Sequence, residues 1–162
     1  MIRKTLDTDI PAVMAIYDAA RAFMREHGNA TQWPVGTPSA EQLKSDIAAG
    51  GSYVYEEDGR VVATFAFLPG PDSSYDVIED GQWRSDAPYA VLHRVASDGT
   101  TRGVAAAMFT FAKERVDHLR IDTHQDNLPM QGAIAKAGFE RAGIVYVSDG
   151  TPRVAFDWLR EA

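Results

Sequence analysis

The stretch from Val91 to Ala112 reads VLHRVASDGTTRGVAAAMFTFA, and it decides the fold. Its first part, with Tyr89 and Ala90 before it, is rich in β-branched and apolar residues and predicts a strand over 89–97. Asp98-Gly99-Thr100-Thr101 is turn chemistry. Val104, Met108, Phe111 and Ala112 then give the next segment a helical apolar face. A strand therefore turns directly into a helix. The first amides of a helix have no partner within it and sit at the positive end of its dipole. Gly103, Ala105, Ala106 and Ala107 keep side chains away from those amides, Val104 sits among them, and Arg102 adds a cationic fork. Such a start suits a pyrophosphate. Small residues also allow close packing of a helix on a sheet, so this feature alone leaves both readings open. The G-x-G-x-x-G of a dinucleotide fold and the Gly-Lys-Ser/Thr of a Walker loop are absent.

Upstream, residues 1–5 read as a short edge strand. Asp7, Thr8 and Asp9 supply helix-start chemistry, Pro11 fits a first turn, and Ile10, Val13, Met14, Tyr17, Ala20 and Met24 carry a helix to about residue 27. GNATQWPVGTP (28–38) is a loop. Ser39-Ala40-Glu41-Gln42 reads as a capping box for a short helix that Gly50-Gly51 stops. Residues 52–57 and 60–68 are strands joined by Asp58-Gly59, a two-residue hairpin signal. Residues 69–88 are rich in Pro, Gly, Asp and Ser; a loop this long is functional or hides a short element. Downstream, 118–123 is a strand, Asn127 caps a helix with Pro129 in its first turn, and Gly138 fits its end. Residues 139–147 and 153–159 close the chain as strands. The order β-α-α-β-β-β-α-β-α-β-β defines a mixed α+β fold, expected as one domain over 1–162.

Composition narrows the function. Apolar residues make up 45% and charged residues 24%, as in ordinary globular proteins. There is no cysteine, which removes disulfides and a thiol nucleophile. With a net charge of -7 and no basic run, nucleic acid is not the expected partner. Acidity suits a cationic substrate such as an amine, and serves solubility equally. No stretch of about 18 apolar residues exists, so no membrane span is expected. MIRKTLDTDI lacks the apolar run of a signal peptide, so a cytoplasmic location is the expectation. No ligand spacing for zinc is seen, so no metal is expected.

Three further segments follow the opening stretch: IDTHQDN (121–127), the helix after it, and KAGFERAGIVYV (136–147). Together these resemble the GNAT superfamily of acyl-CoA N-acyltransferases. Their helix-start pattern is Arg/Gln-x-x-Gly-x-Gly/Ala, which here reads Arg102-x-x-Ala105-x-Ala107. Asn127 matches the helix-opening Asn of the family, and Gly138-Phe139 its Gly-Phe. The order of elements fits over nearly the whole chain.

The resemblance implies a mixed, mostly antiparallel twisted sheet flanked by helices, with central strands that splay between 89–97 and 118–123. It implies acetyl-CoA as acyl donor, its pantetheine arm pairing with the first of these strands through the backbone of Val95 and Ser97. An amide there would polarise the thioester carbonyl. Asn127 would reach the pantetheine or thiol end. Two departures stand out: Ala105 replaces the central glycine of the pyrophosphate loop, and Ile134 replaces the Tyr that serves many members as general acid.

With that acid missing, Tyr146 is the substitute, or else a Tyr packed on the sheet; Tyr89 is a weaker alternative. His93 is the candidate base for the incoming amine, because some members of the family present histidines from this strand and an imidazole titrates near neutrality. A structural histidine is the other reading. With period two, His93 shares a face with Val91, Val95 and Ser97, whereas Arg94 faces away as a surface or ion-pairing residue. The family's acceptor pocket corresponds to the loops of Trp33 and of Glu79, Asp80 and Trp83. Glu79 or Asp80 would hold an ammonium and a Trp would cover it, unless the tryptophans only anchor their loops. The expected function is acetyl transfer from acetyl-CoA to a primary amine of a small molecule by direct attack. A CoA-binding module with little turnover and a protein N-terminal acetyltransferase are the alternatives. The exposed edges of such a sheet make a homodimer one expectation.

Overall fold

The computed structural model describes residues 1–161. Its elements follow the expected order. Strand β1 (Ile2–Lys4) leads to helices α1 (Ile10–Glu26) and α2 (Ala40–Ala48), then strands β2 (Ser52–Glu57), β3 (Arg60–Pro69) and β4 (Ala90–Ser97). Helix α3 (Val104–Lys113), strand β5 (His118–Thr123), helix α4 (Leu128–Lys136) and strands β6 (Glu140–Tyr146) and β7 (Pro152–Leu159) complete it. Short 3-10 turns at Asp7–Asp9 and Ser73–Tyr75 are the additions, the second being the hidden element in the long loop. The seven strands form one sheet in the order β1-β2-β3-β4-β5-β7-β6. β1 with β2, β2 with β3, β5 with β7 and β6 with β7 are antiparallel. β4 with β5 is parallel, registered at Ala90↔Leu119 and Val91↔Arg120. The result is a mixed, mostly antiparallel sheet flanked by helices, the α+β class expected.

Local chemistry accounts for the boundaries. Asp58 and Gly59 have φ of 51° and 76°, the paired positive values that a tight hairpin between β2 and β3 needs. Ser39 accepts from the Gln42 amide at 3.1 Å and caps α2. The expected capping box is only half made, because the Gln42 side chain turns forward to Asp46 at 3.1 Å. Asn127 accepts from the Met130 amide at 3.2 Å and opens α4, and Gly138 follows its end with φ 88°.

The chain divides into two compact units. The first comprises Met1–Phe67 and His93–Met108. Its core joins Val13, Ile16, Tyr17 and Ala20 of α1 to Leu43, Val54 and Ala96, all buried. Of the α1 positions that the helical spacing picks out, Val13, Tyr17 and Ala20 are buried and Ile10 and Met14 pack against them partly buried, while Ile16 joins the core outside that pattern. The second unit comprises Leu68–Leu92 with Phe109 to the end of the chain. There Tyr75, Val91, Val145 and Ala155 are buried, with Leu68, Ile78, Trp83 and Tyr89 packed on them. The loop of residues 69–88 thus brings its own aromatic core. Among the described residues no helix is long and apolar enough to cross a membrane.

Candidate active site

In the first unit, the start of α3 is open as the sequence indicates. Gly103 has φ 77°, and a Cβ placed there would meet no atom within 4 Å. Arg102, Gly103 and Ala106 are exposed, and Ala105 and Ala107 half-buried. The Ala107 amide bonds to the Gly103 carbonyl at 3.0 Å. The amides ahead of it, from Val104 to Ala106, are those a helix leaves without an internal acceptor. Val104 is buried and anchors the turn. Arg102 is in no ion pair among the described residues, so its guanidinium is available to an anion. Small side chains, outward amides and a free arginine fit a pyrophosphate.

The strand before it departs from regular geometry. Arg94 has φ 53°, a left-handed conformation inside β4. For a residue with a Cβ this costs of order 1–3 kcal/mol and persists only where surrounding structure enforces it. The expected alternation of faces over Val91, His93, Val95 and Ser97 is therefore broken at Arg94. Burial follows the break: Ala90, Val91 and Leu92 are all buried, and His93, Arg94 and Val95 are all half-buried. Arg94 is also no surface residue. Its Nε and Nη2 donate to the Asp46 carboxylate at 2.7 and 2.8 Å. Of the two roles the sequence leaves to Arg94, ion pairing is the one realised, and nothing local in the sequence names Asp46 as its partner. Ser97 accepts from the Gly99 amide at 3.0 Å, which shapes the exit from the strand.

Trp33, in the loop after α1, packs edge-on against Tyr17 with centroids 5.7 Å apart. Its ring is half-buried on the core of this unit, so it anchors its loop.

In the second unit the long loop is strapped to β6. The Glu79 amide donates to the Ile144 carbonyl at 2.8 Å, and the Ile144 amide returns a bond at 2.7 Å. The approach is close enough that a Cβ on Gly143 would lie 2.5 Å from the Glu79 carbonyl oxygen. The strap brings together two residues chosen separately from the sequence: the Tyr146 hydroxyl donates to Glu79 Oε2 at 3.1 Å. That bond to a carboxylate raises the Tyr146 phenol above its ordinary range. Asp80 is already engaged, by Arg141 at 2.8 Å. Trp83 donates from Nε1 to the Tyr75 carbonyl at 3.0 Å, and the Arg120 guanidinium lies over its ring at 4.1 Å and over Tyr89 at 3.9 Å. Arg84 clasps the fully buried Asp157 through Nε at 2.6 Å and its own amide at 3.0 Å. Trp83 is thus fixed on both sides, and this basic and aromatic cluster carries no local sequence signal.

At the end of β5, His124 Nδ1 accepts from the Asp126 amide at 3.0 Å, and its ring is pushed down in pKa mainly by burial. Asn127 is buried and commits its side-chain oxygen to the helix cap. Ile134 is fully buried, so the position at which the resemblance leads one to expect an acid is core.

No family model matches the sequence, and no curated protein matches it. Solved structures do. An acetyltransferase of the GNAT family from Streptococcus agalactiae 2603 shares 30% identity and a TM-score of 0.91, over 100% of this chain and 96% of that one. A GNAT-family acetyltransferase from Listeria monocytogenes 4b F2365 shares 18% identity, with a TM-score of 0.72 over 98% of this chain and 94% of that one. The ribosomal-protein-S18-alanine N-acetyltransferase of Escherichia coli shares 18% identity, with a TM-score of 0.65 over 100% of this chain and 95% of that one. The chain belongs to the GNAT family of acetyltransferases.

Proposed function

We propose that this protein is an N-acetyltransferase that transfers an acetyl group from acetyl-CoA to a primary amine of a small molecule by direct attack in a ternary complex. The observation that carries this is the open helix start at Arg102–Ala107 behind the kinked strand β4, in a chain of this family. Arg102 and the amides from Gly103 to Ala107 would hold the pyrophosphate, and Asn127 would meet the pantetheine or thiol end. The backbone of Val95 and Ser97 would pair with the pantetheine arm. Bound acetyl-CoA would supply the activated acyl carbon.

The residues of the chain supply the rest. An alkylammonium must lose a proton before it attacks, and His93 would take that proton, directly or through water. The Val95 amide would support the oxyanion. Of the two acidic candidates for the ammonium, Glu79 is favoured, because the Asp80 carboxylate is held by Arg141. Tyr146, hydrogen-bonded to Glu79, would return a proton to the leaving thiolate. A thiol of pKa about 8.5 also leaves without help, so that step needs no strong acid. Trp33 and Trp83, each fixed within its own unit, would each present a rigid ring rather than a mobile cover.

A second reading is a CoA-binding module with weak turnover, and the core position of Ile134 favours it. The pH profile of His93→Ala tests the first reading. Loss of kcat near neutral pH, with partial recovery as the amine deprotonates at higher pH, is expected. An unchanged profile removes His93 from the reaction.

A further inference from the structure

We propose that Asp46 and Arg94 form a latch that holds the left-handed kink in β4 and so sets the direction of the Val95 amide and the His93 side chain. This deepens the acetyl-transfer reading and rests on it for its effect on turnover.

The pair is unusual on three counts. First, Arg94 is the one residue with a Cβ that adopts a positive φ within a strand among the described residues. Arginine has no preference for that conformation, so the surroundings must impose it. Second, the grip is geometric. Two parallel hydrogen bonds, Nε to Oδ2 at 2.7 Å and Nη2 to Oδ1 at 2.8 Å, fix the plane of the guanidinium as well as its position. Third, Asp46 is poorly placed for stability. It lies in the last turn of α2, where the helix dipole disfavours a negative charge, and its side chain is only 5% exposed. A buried pair of this kind is commonly no more stabilising than apolar residues of similar volume, so its value lies in specifying geometry.

The acid is itself held from several sides. The Gln42 side chain donates to Asp46 Oδ1 at 3.1 Å, and the Gly51 amide donates to the Asp46 carbonyl at 2.9 Å. Tyr17 of α1 also senses the pair: burial pushes its phenol up to about 12, with Arg94 opposing and Asp46 adding to the shift. Helices α1 and α2 thus converge on one residue of β4. His93 and Val95 flank that residue on either side, so any change of its φ re-aims both.

The test uses the full chain and two independent readouts. The first is a crystal structure of Asp46→Leu, with Asp46→Asn as a milder variant should the first fail to fold. Residue 94 is expected to leave the positive-φ region or to become disordered. A φ that stays near the present value without the carboxylate would overturn the latch, whatever the activity. The second readout compares Arg94→Lys, Arg94→Ala and Arg94→Gly in acetyl-CoA turnover and CoA binding. Lys and Ala are expected to lose at least tenfold in kcat with CoA affinity within threefold. Glycine, which adopts the kink freely, is expected to retain more kcat than alanine. Equal loss in Gly and Ala would instead make Arg94 a direct substrate contact and contradict the latch. If the wild type neither binds CoA nor turns over, the acetyl-transfer reading fails while the crystallographic readout still decides the latch.

Discussion

The Tyr146 hydroxyl and the Glu79 carboxylate meet at 3.1 Å because the long loop is strapped to β6. Two residues far apart in sequence thus form one hydrogen-bonded pair, and their substitutions should separate by kinetic parameter. Tyr146→Phe is expected to lower kcat only about tenfold, since a thiolate leaves readily and general acid help is modest here. Glu79→Gln is expected to raise the acceptor KM while leaving kcat within a few-fold. Steady-state kinetics on one amine substrate checks both; identical effects of the two changes would deny them distinct roles.

Ala106→Asp places a carboxylate at the exposed start of α3. A negative charge there stabilises the helix by about 0.3–1 kcal/mol. It also occupies the space proposed for the pyrophosphate. The variant should therefore melt no lower than the wild type yet bind CoA more than tenfold more weakly. Calorimetric titration beside thermal melting reads the two effects separately.

Ile134→Tyr introduces the phenol that the family resemblance leads one to expect here, but puts it into packed core. Overpacking is expected to cost about 1–3 kcal/mol of stability, with no gain in kcat. Denaturant unfolding and turnover measure this, and a rise in kcat without destabilisation would show that the side chain reaches the reacting atoms.

His118 gives the fold a pH dependence. Its ring is buried beside Tyr89, with Nδ1 against the Ala87 carbonyl at 3.2 Å and Nε2 unpartnered. Burial pushes its pKa below the ordinary range, and Arg120 and Arg84 add to this while the Ala87 carbonyl and Asp157 oppose it. The unfolded chain therefore binds more protons below about pH 6.5, so stability falls as pH drops through that value. His124 shifts the same way and shares in the effect. Melting from pH 8 to 5 is expected to show a declining Tm, with a shallower decline in His118→Phe. An equal slope in the variant would remove His118 as a cause.

The fold was legible because its punctuation is local. Asp58-Gly59, Asn127 and Gly138 each dictate a backbone conformation within a few residues. The open start of α3 was legible for the same reason: small residues next to a turn leave amides bare. What escaped the sequence is held over distance. The left-handed φ of Arg94 is imposed by a carboxylate on α2, and the 69–88 loop by Asp157, Arg120 and β6. An alternating pattern of residues cannot show a kink that a distant side chain enforces, so the predicted common face of His93, Val95 and Ser97 failed at Arg94.

Acetyl transfer itself is tested most directly by following free thiol released from acetyl-CoA across a panel of primary amines, with mass spectrometry of the amine products. Amine-dependent thiol release with an equal amount of N-acetylated product is the expected result. Tight CoA binding with no acetylated product from any amine would contradict the enzyme and leave a binding module.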